Sequence, residues 1–191
     1  MLICFANRLI ALAKGRLALA ALAIFLLFAA LVLPAQAART AERTGADRQP
    51  DTSLLYSAGD LYEMAAAFGP EGRQAYIRAR FTFDLIWPLV YGFFLVTSIG
   101  WLAGRAFVAT SPGRLLVLAP LLGVALDYLE NISTSLVMAR YPAPTPPVDA
   151  LAPLFTLLKW LFVAGSAAAL LAALPAALIA RMRTPAGPAR S

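Results

Sequence analysis

The chain has 191 residues, 61% of them hydrophobic and only 14% charged, with a net charge of +6. That balance belongs to the membrane class rather than to a soluble domain. A single cysteine, Cys4, and no histidine leave no disulfide framework, Cys/His zinc site, His-ligated haem or Ser-His-Asp triad; no glycine-rich phosphate loop is present, and neither metal nor cofactor is expected.

Taken in order, Arg8, Lys14 and Arg16 precede an apolar run, Leu17–Leu33, and Pro34-Ala35-Gln36-Ala37 follows it. Its A-x-A pattern leaves two readings, an uncleaved first span or a cleaved signal peptide. A run of about 17 residues is short for a span and long for a signal core, and favours the span. Ala38–Ser53 mixes Arg39, Glu42, Arg43, Asp47, Arg48 and Asp51 and reads as a solvated, loosely ordered linker. Ser57 and Asp60 approximate a capping box, and Leu61, Met64, Ala65 and Phe68 follow at helical spacing. Gly69 suits the end of that short helix, about 59–68, and Pro70 the first turn of the next. The short amphipathic helix is expected either at the membrane surface or against the bundle, with packing on the chain's own spans the favoured reading.

From Pro70 the helix is expected to continue into a second span, 81–103, kinked at Pro88. Ser111-Pro112-Gly113 breaks the chain before a third span, 115–141. Tyr141 to Pro147 holds four prolines and reads as a stiff extended connector. A fourth span covers about 151–180, and Thr184–Ser191 reads as a disordered tail. The fold class expected is therefore all-α: a polytopic four-helix membrane bundle forming one domain, 1–183, with the short surface helix in an external segment, 38–79. Eight of the 16 basic residues (Arg8, Lys14, Arg16, Arg105, Arg114, Arg181, Arg183, Arg190) fall on one side with no acid among them. By the positive-inside rule that side is cytoplasmic, which puts both termini inside and leaves no case for nucleic acid.

Charged groups within the spans carry the functional question, because each costs roughly 2.5–3.5 kcal/mol at a span centre. At ~1.5 Å per residue, Asp84 lies ~5 Å below the outer boundary, Lys159 ~12 Å, Tyr91, Glu130 and Asn131 ~15 Å and Asp127 ~20 Å. All fall in the outer half. Asp127, Glu130, Asn131 and Thr134 share one helix face, and Arg80, Asp84, Trp87 and Tyr91 another. The expected pairs are Glu130 with Lys159 and Arg80 with Asp84. Asp127 is left without a basic partner and is expected to bond Tyr91. Trp87, Tyr91, Trp101, Tyr128, Tyr141 and Trp160 read as packing and interface anchors.

Gly72-Arg73-Gln74-Ala75-Tyr76, then Asp84 with Pro88-Leu89-Val90-Tyr91, then Asp127-x-x-Glu130-Asn131, resembles a group of small bacterial four-span membrane proteins to which no activity attaches. The likeness covers about Tyr56 to Arg140 and implies no site. Three functions stay open. The first is binding of a membrane lipid or amphiphile in an outer-half cavity formed by Arg80, Asp84, Tyr91, Asp127, Glu130, Asn131 and Lys159. The second is an enzyme in which Asp127 and Glu130 act as acid and base on a lipid-soluble substrate. The third is an accessory subunit docking a membrane-protein partner through Gly59–Phe68. Interhelical glue is the structural alternative for the charged cluster.

Overall fold

A computed structural model describes residues 1–45, 48–50 and 53–183, with side chains as far as 173. The tail expected to be disordered, 184–191, lies outside the described residues, as do Asp47 and Asp51 of the expected linker and the side chains of Arg181 and Arg183. Among the described residues the chain is all helical, in the order α1 (Leu2–Leu12), α2 (Gly15–Leu27), a π-helical turn (Phe28–Val32), α3 (Leu33–Thr44), α4 (Ala58–Arg80), α5 (Phe83–Ala106), a 3-10 segment (Pro112–Leu118), α6 (Ala119–Arg140) and α7 (Val148–Arg183). Four stretches are long and apolar enough to cross a membrane: Gly15–Thr44, Ala58–Ala106, Pro112–Arg140 and Val148–Ala173. By length and composition this is a multi-pass membrane protein.

The burial pattern agrees. On α6, Leu122, Leu129, Ile132 and Leu136 are exposed, while Asp127, Glu130, Asn131, Ser133, Thr134 and Ser135 are buried. On α6 an outer face more apolar than the buried one suits a helix whose solvent is lipid, where polar groups turn to one another. α6 packs most extensively on α7, α5 touches α2, α6 and α7, and α4 lies across α6 and α3. Glycines set the closest approaches. A Cβ on Gly92 would stand 2.6 Å from Val124 and one on Gly123 2.8 Å from Val163, so α5 meets α6, and α6 meets α7, at distances that only glycine allows.

Several sequence expectations change. The N-terminus forms a helix of its own, α1, with Ala6 and Ile10 buried and Ile10 against Gly100 and Gly104 of α5. The expected linker is helical as far as Thr44. Pro34 does not end the helix: it stands just past the π-helical turn Phe28–Val32, and the helix carries on to Thr44. Gly45, at φ 61°, ends it. The chain does not run as one helix from Pro70 into the second span: Arg80 ends α4, Phe81 and Thr82 turn, and α5 begins at Phe83. The α-helix of the expected third span, α6, starts only at Ala119, with Pro120 in its first turn, after the 3-10 segment. The proline-rich connector is turned rather than extended. Tyr62 accounts for this, since its hydroxyl accepts from the Thr145 amide (2.8 Å) and donates to Asp149 (2.9 Å).

Other expectations hold. Ser57 and Asp60 form both halves of the capping box. The Asp60 carboxyl is held down to about 2, first by the Ser57 hydroxyl, then by the Ser57 amide and Arg48. Gly69 interrupts α4 at φ 63°, ψ 177°. The stripe Leu61, Met64, Ala65 and Phe68 is buried with Val137, Met138 and Ala152 of the chain itself.

Candidate functional site

The sequence Gly72-Arg73-Gln74-Ala75-Tyr76 sets up the charged end of the molecule. Gly72 lets α4 approach the Thr44 backbone of α3, where a Cβ would meet it at 3.3 Å. Arg73 donates to the Ala65 carbonyl (2.8 Å) and lies over the Tyr141 ring, tying the helical piece before Gly69 to the one after it. The Tyr76 hydroxyl donates to Thr134 (3.2 Å), and the Arg80 guanidinium sits over the Tyr76 ring. Arg80 is thereby held 5% exposed and pairs with Asp84 at 2.9 Å. That pair spans the break between α4 and α5, so a turn, not a continuous helix, brings its members together.

One turn into α5 stands Pro88. Tyr128 of α6 donates to the Leu85 carbonyl one turn before it (2.8 Å). Tyr91, one turn further, donates to Asp127 Oδ2 (2.8 Å), and Asn131 Nδ2 donates to Asp127 Oδ1 (3.2 Å). Lys159 of α7 contacts Glu130 Oε2 directly and stands 3.9 Å from Asp127 Oδ1. Asp127 therefore has a basic neighbour after all. Depth along the helices pairs Lys159 with Glu130, but one ammonium reaches both carboxylates across a single helical turn. Glu130 Oε1 also accepts from Thr156 (2.8 Å), whose hydroxyl meets that of Tyr56 (2.9 Å). Arg80 and Lys159 are buried at 5% and 6%, so neither reaches out to an interface.

Next to this network lies a cavity of about 680 Å³, within the range of small-molecule sites. Of the seven candidate residues, Arg80, Asp84, Tyr91, Asp127 and Lys159 line it. Glu130, at 0% exposure, and Asn131 stand behind the wall, each bonded to a residue on it. Gln36 and Thr40 of α3 and Gln49 complete the polar end. The rest is apolar and aromatic: Phe25, Leu33, Ala37, Ala41, Phe83, Trp87, Phe94, Leu95, Trp160, Val163, Ala167, Leu170 and Leu171. From Lys159 to Leu171 the wall runs ~18 Å along α7 at ~1.5 Å per residue. Trp87 is fixed between Phe25, Phe28 and Tyr91 by ring contacts of 5.6–5.8 Å.

Compared with known proteins, the chain matches no family model, no curated protein and no solved structure. The site must be read from its own geometry. Missing from the sequence reading is the contribution of the first membrane-crossing stretch, which supplies one whole wall. Its signal was present: Gln36, Thr40 and Thr44 are spaced i, i+4, i+8, one polar stripe on a helix that continues past Pro34. Among the described residues no group of three or more His, Cys, Asp or Glu is placed to hold a metal.

Proposed function

We propose that this is a protein of the bacterial cytoplasmic membrane, its four spans bundled and both termini inside, that binds a lipid or amphiphile in the cavity between α2, α3, α5 and α7. The observation that carries the reading is the two-ended character of the cavity. Ion-paired and hydrogen-bonding groups gather at one end, and an apolar, aromatic channel extends from them for ~18 Å along α7. With the positive-inside orientation, the charged end lies in the outer half of the membrane, so the head group sits toward the outer leaflet and the tail points inward. The walls also suit entry from the bilayer. The Gly15–Thr44 helix packs on α5 and α4, and α7 packs on α6 and α5, with the cavity between the two.

Two observations favour binding over the other functions. An acid–base pair of Asp127 and Glu130 needs both carboxylates at the substrate, and Glu130 has no surface on the cavity. A docking role for Gly59–Phe68 needs a free apolar stripe, and Leu61, Met64, Ala65 and Phe68 are covered from within. The test is native mass spectrometry of protein extracted from its membrane. Wild type should carry a co-purifying amphiphile, and Ala167→Trp, which fills the apolar channel, should lose it while unfolding at a similar temperature. Retention of the same species by Ala167→Trp would defeat the reading.

A further inference from the structure

The geometry points to Lys159 as a covalent attachment point. Its ε-amine is placed to condense with the aldehyde carbon of a long-chain apolar aldehyde lying in the cavity, giving a protonated imine. This rests on the binding reading above and names a ligand class for the same site.

Position comes first. Lys159 is 6% exposed and forms part of the cavity wall where the polar end gives way to the aromatic channel. An aldehyde at the end of an apolar tail lying in that channel would meet the amine. Residue type comes next. Of the 16 basic residues only Lys14 and Lys159 are lysine; the rest are arginine, including neighbouring Arg80. A guanidinium serves an ion pair as well or better, but only the lysine amine forms Schiff bases readily.

The neighbours supply the remaining steps. Glu130, in direct contact with the ammonium, is placed to take its proton and to return it. Thr156 and Tyr56 hold Glu130 from behind, so it acts on Lys159 and not on the ligand. The free amine attacks the carbonyl carbon. A C–N bond forms, the carbonyl oxygen leaves as water with two protons, and Glu130 returns one proton to the imine nitrogen. The sum is ammonium plus aldehyde giving iminium plus water, with no oxidant or reductant and no change in charge. Asp127, at 3.9 Å and anchored by Tyr91 and Asn131, then faces the same positive charge before and after.

The experiment uses the full-length protein in lipid nanodiscs with all-trans-retinal, a long apolar aldehyde whose protonated imine absorbs in the visible. Native mass spectrometry reads non-covalent uptake. Cyanoborohydride reduction followed by peptide mapping reads the imine, with Lys14 as internal reference. Labelling at Lys159 should exceed that at Lys14 by about tenfold or more, as proximity in a bound complex requires. Lys159→Arg should take up retinal without developing the visible band, and Glu130→Gln should form it more slowly. Retinal taken up by wild type with no adduct at Lys159, or with equal labelling at Lys14, overturns the imine while leaving the cavity reading standing. No uptake at all by folded protein overturns both.

Discussion

Removing Lys159 should damage this protein more than removing the carboxylate it touches. Glu130 is fully buried and Asp127 is 8% exposed, and one ammonium serves both. Lys159→Met keeps an unbranched side chain but strands two carboxylates, and breaking a buried pair from one side costs ~3–5 kcal/mol. At ~2–4 °C per kcal/mol for a chain of this size, the unfolding temperature should fall by about 6–20 °C. Glu130→Gln is milder. The glutamine oxygen still accepts from Thr156, and Lys159 keeps Asp127 as its carboxylate, so the loss should lie nearer the ~1–3 kcal/mol of one unsatisfied buried group. The double change Lys159→Met, Glu130→Met should recover part of the loss. The assay is thermal unfolding in detergent followed by tryptophan fluorescence, with Trp87 and Trp160 on the cavity wall as reporters. Equal losses for the two single variants, or a shift under about 2 °C for Lys159→Met, would show that the ammonium does not serve both acids.

Gly92→Ala places a methyl 2.6 Å from Val124 and should cost ~1–3 kcal/mol by overpacking, whereas Gly165→Ala, with nothing within 4 Å, should be neutral in the same unfolding assay. Gly69→Ala should cost ~1–3 kcal/mol, because φ 63°, ψ 177° is a backbone region nearly reserved for glycine. Thr156→Val should cost ~1–3 kcal/mol by leaving Glu130 under-bonded, and a double-mutant cycle with Tyr56→Phe should show coupling, since the two hydroxyls form one chain. Asp60 should titrate near 2 rather than at the ordinary 3.8, followed by the NMR shift of its carboxyl carbon. Its folded value is depressed, so its support for the start of α4 is complete above the ordinary value and fades as pH falls through about 2. A midpoint at the ordinary value would mean that the capping box does not form in solution.

How much of this was legible in the sequence follows from the range of each effect. Glu130 with Lys159 and Tyr91 with Asp127 could be matched by counting depth, because α-helices rise at a fixed ~1.5 Å per residue and buried charges must find partners. The capping box at Ser57 and the break at Gly69 are local chemistry and can be read from a few residues. The cavity could not be read in this way. It exists because the first helical stretch continues past Pro34 and packs on α4, which puts Gln36 and Thr40 on the same cavity wall as Lys159 and Leu170 of α7. That arrangement depends on the close contact at Gly72 and on the ring stack of Phe25, Phe28 and Trp87, none of which has a periodic signature. Glu130's withdrawal from the cavity was equally hidden, since residues three apart on one helix face look alike until the neighbouring helix is placed.

The arrangement is tested most directly by an experimental density map of the protein in a lipid nanodisc prepared without added ligand. The expected result is an elongated density between the Gly15–Thr44 helix and α7, its polar end beside Lys159 and Asp127 and its tail reaching Leu170. A cavity that is closed, or filled only with discrete waters, would contradict the proposal that this protein holds an amphiphile.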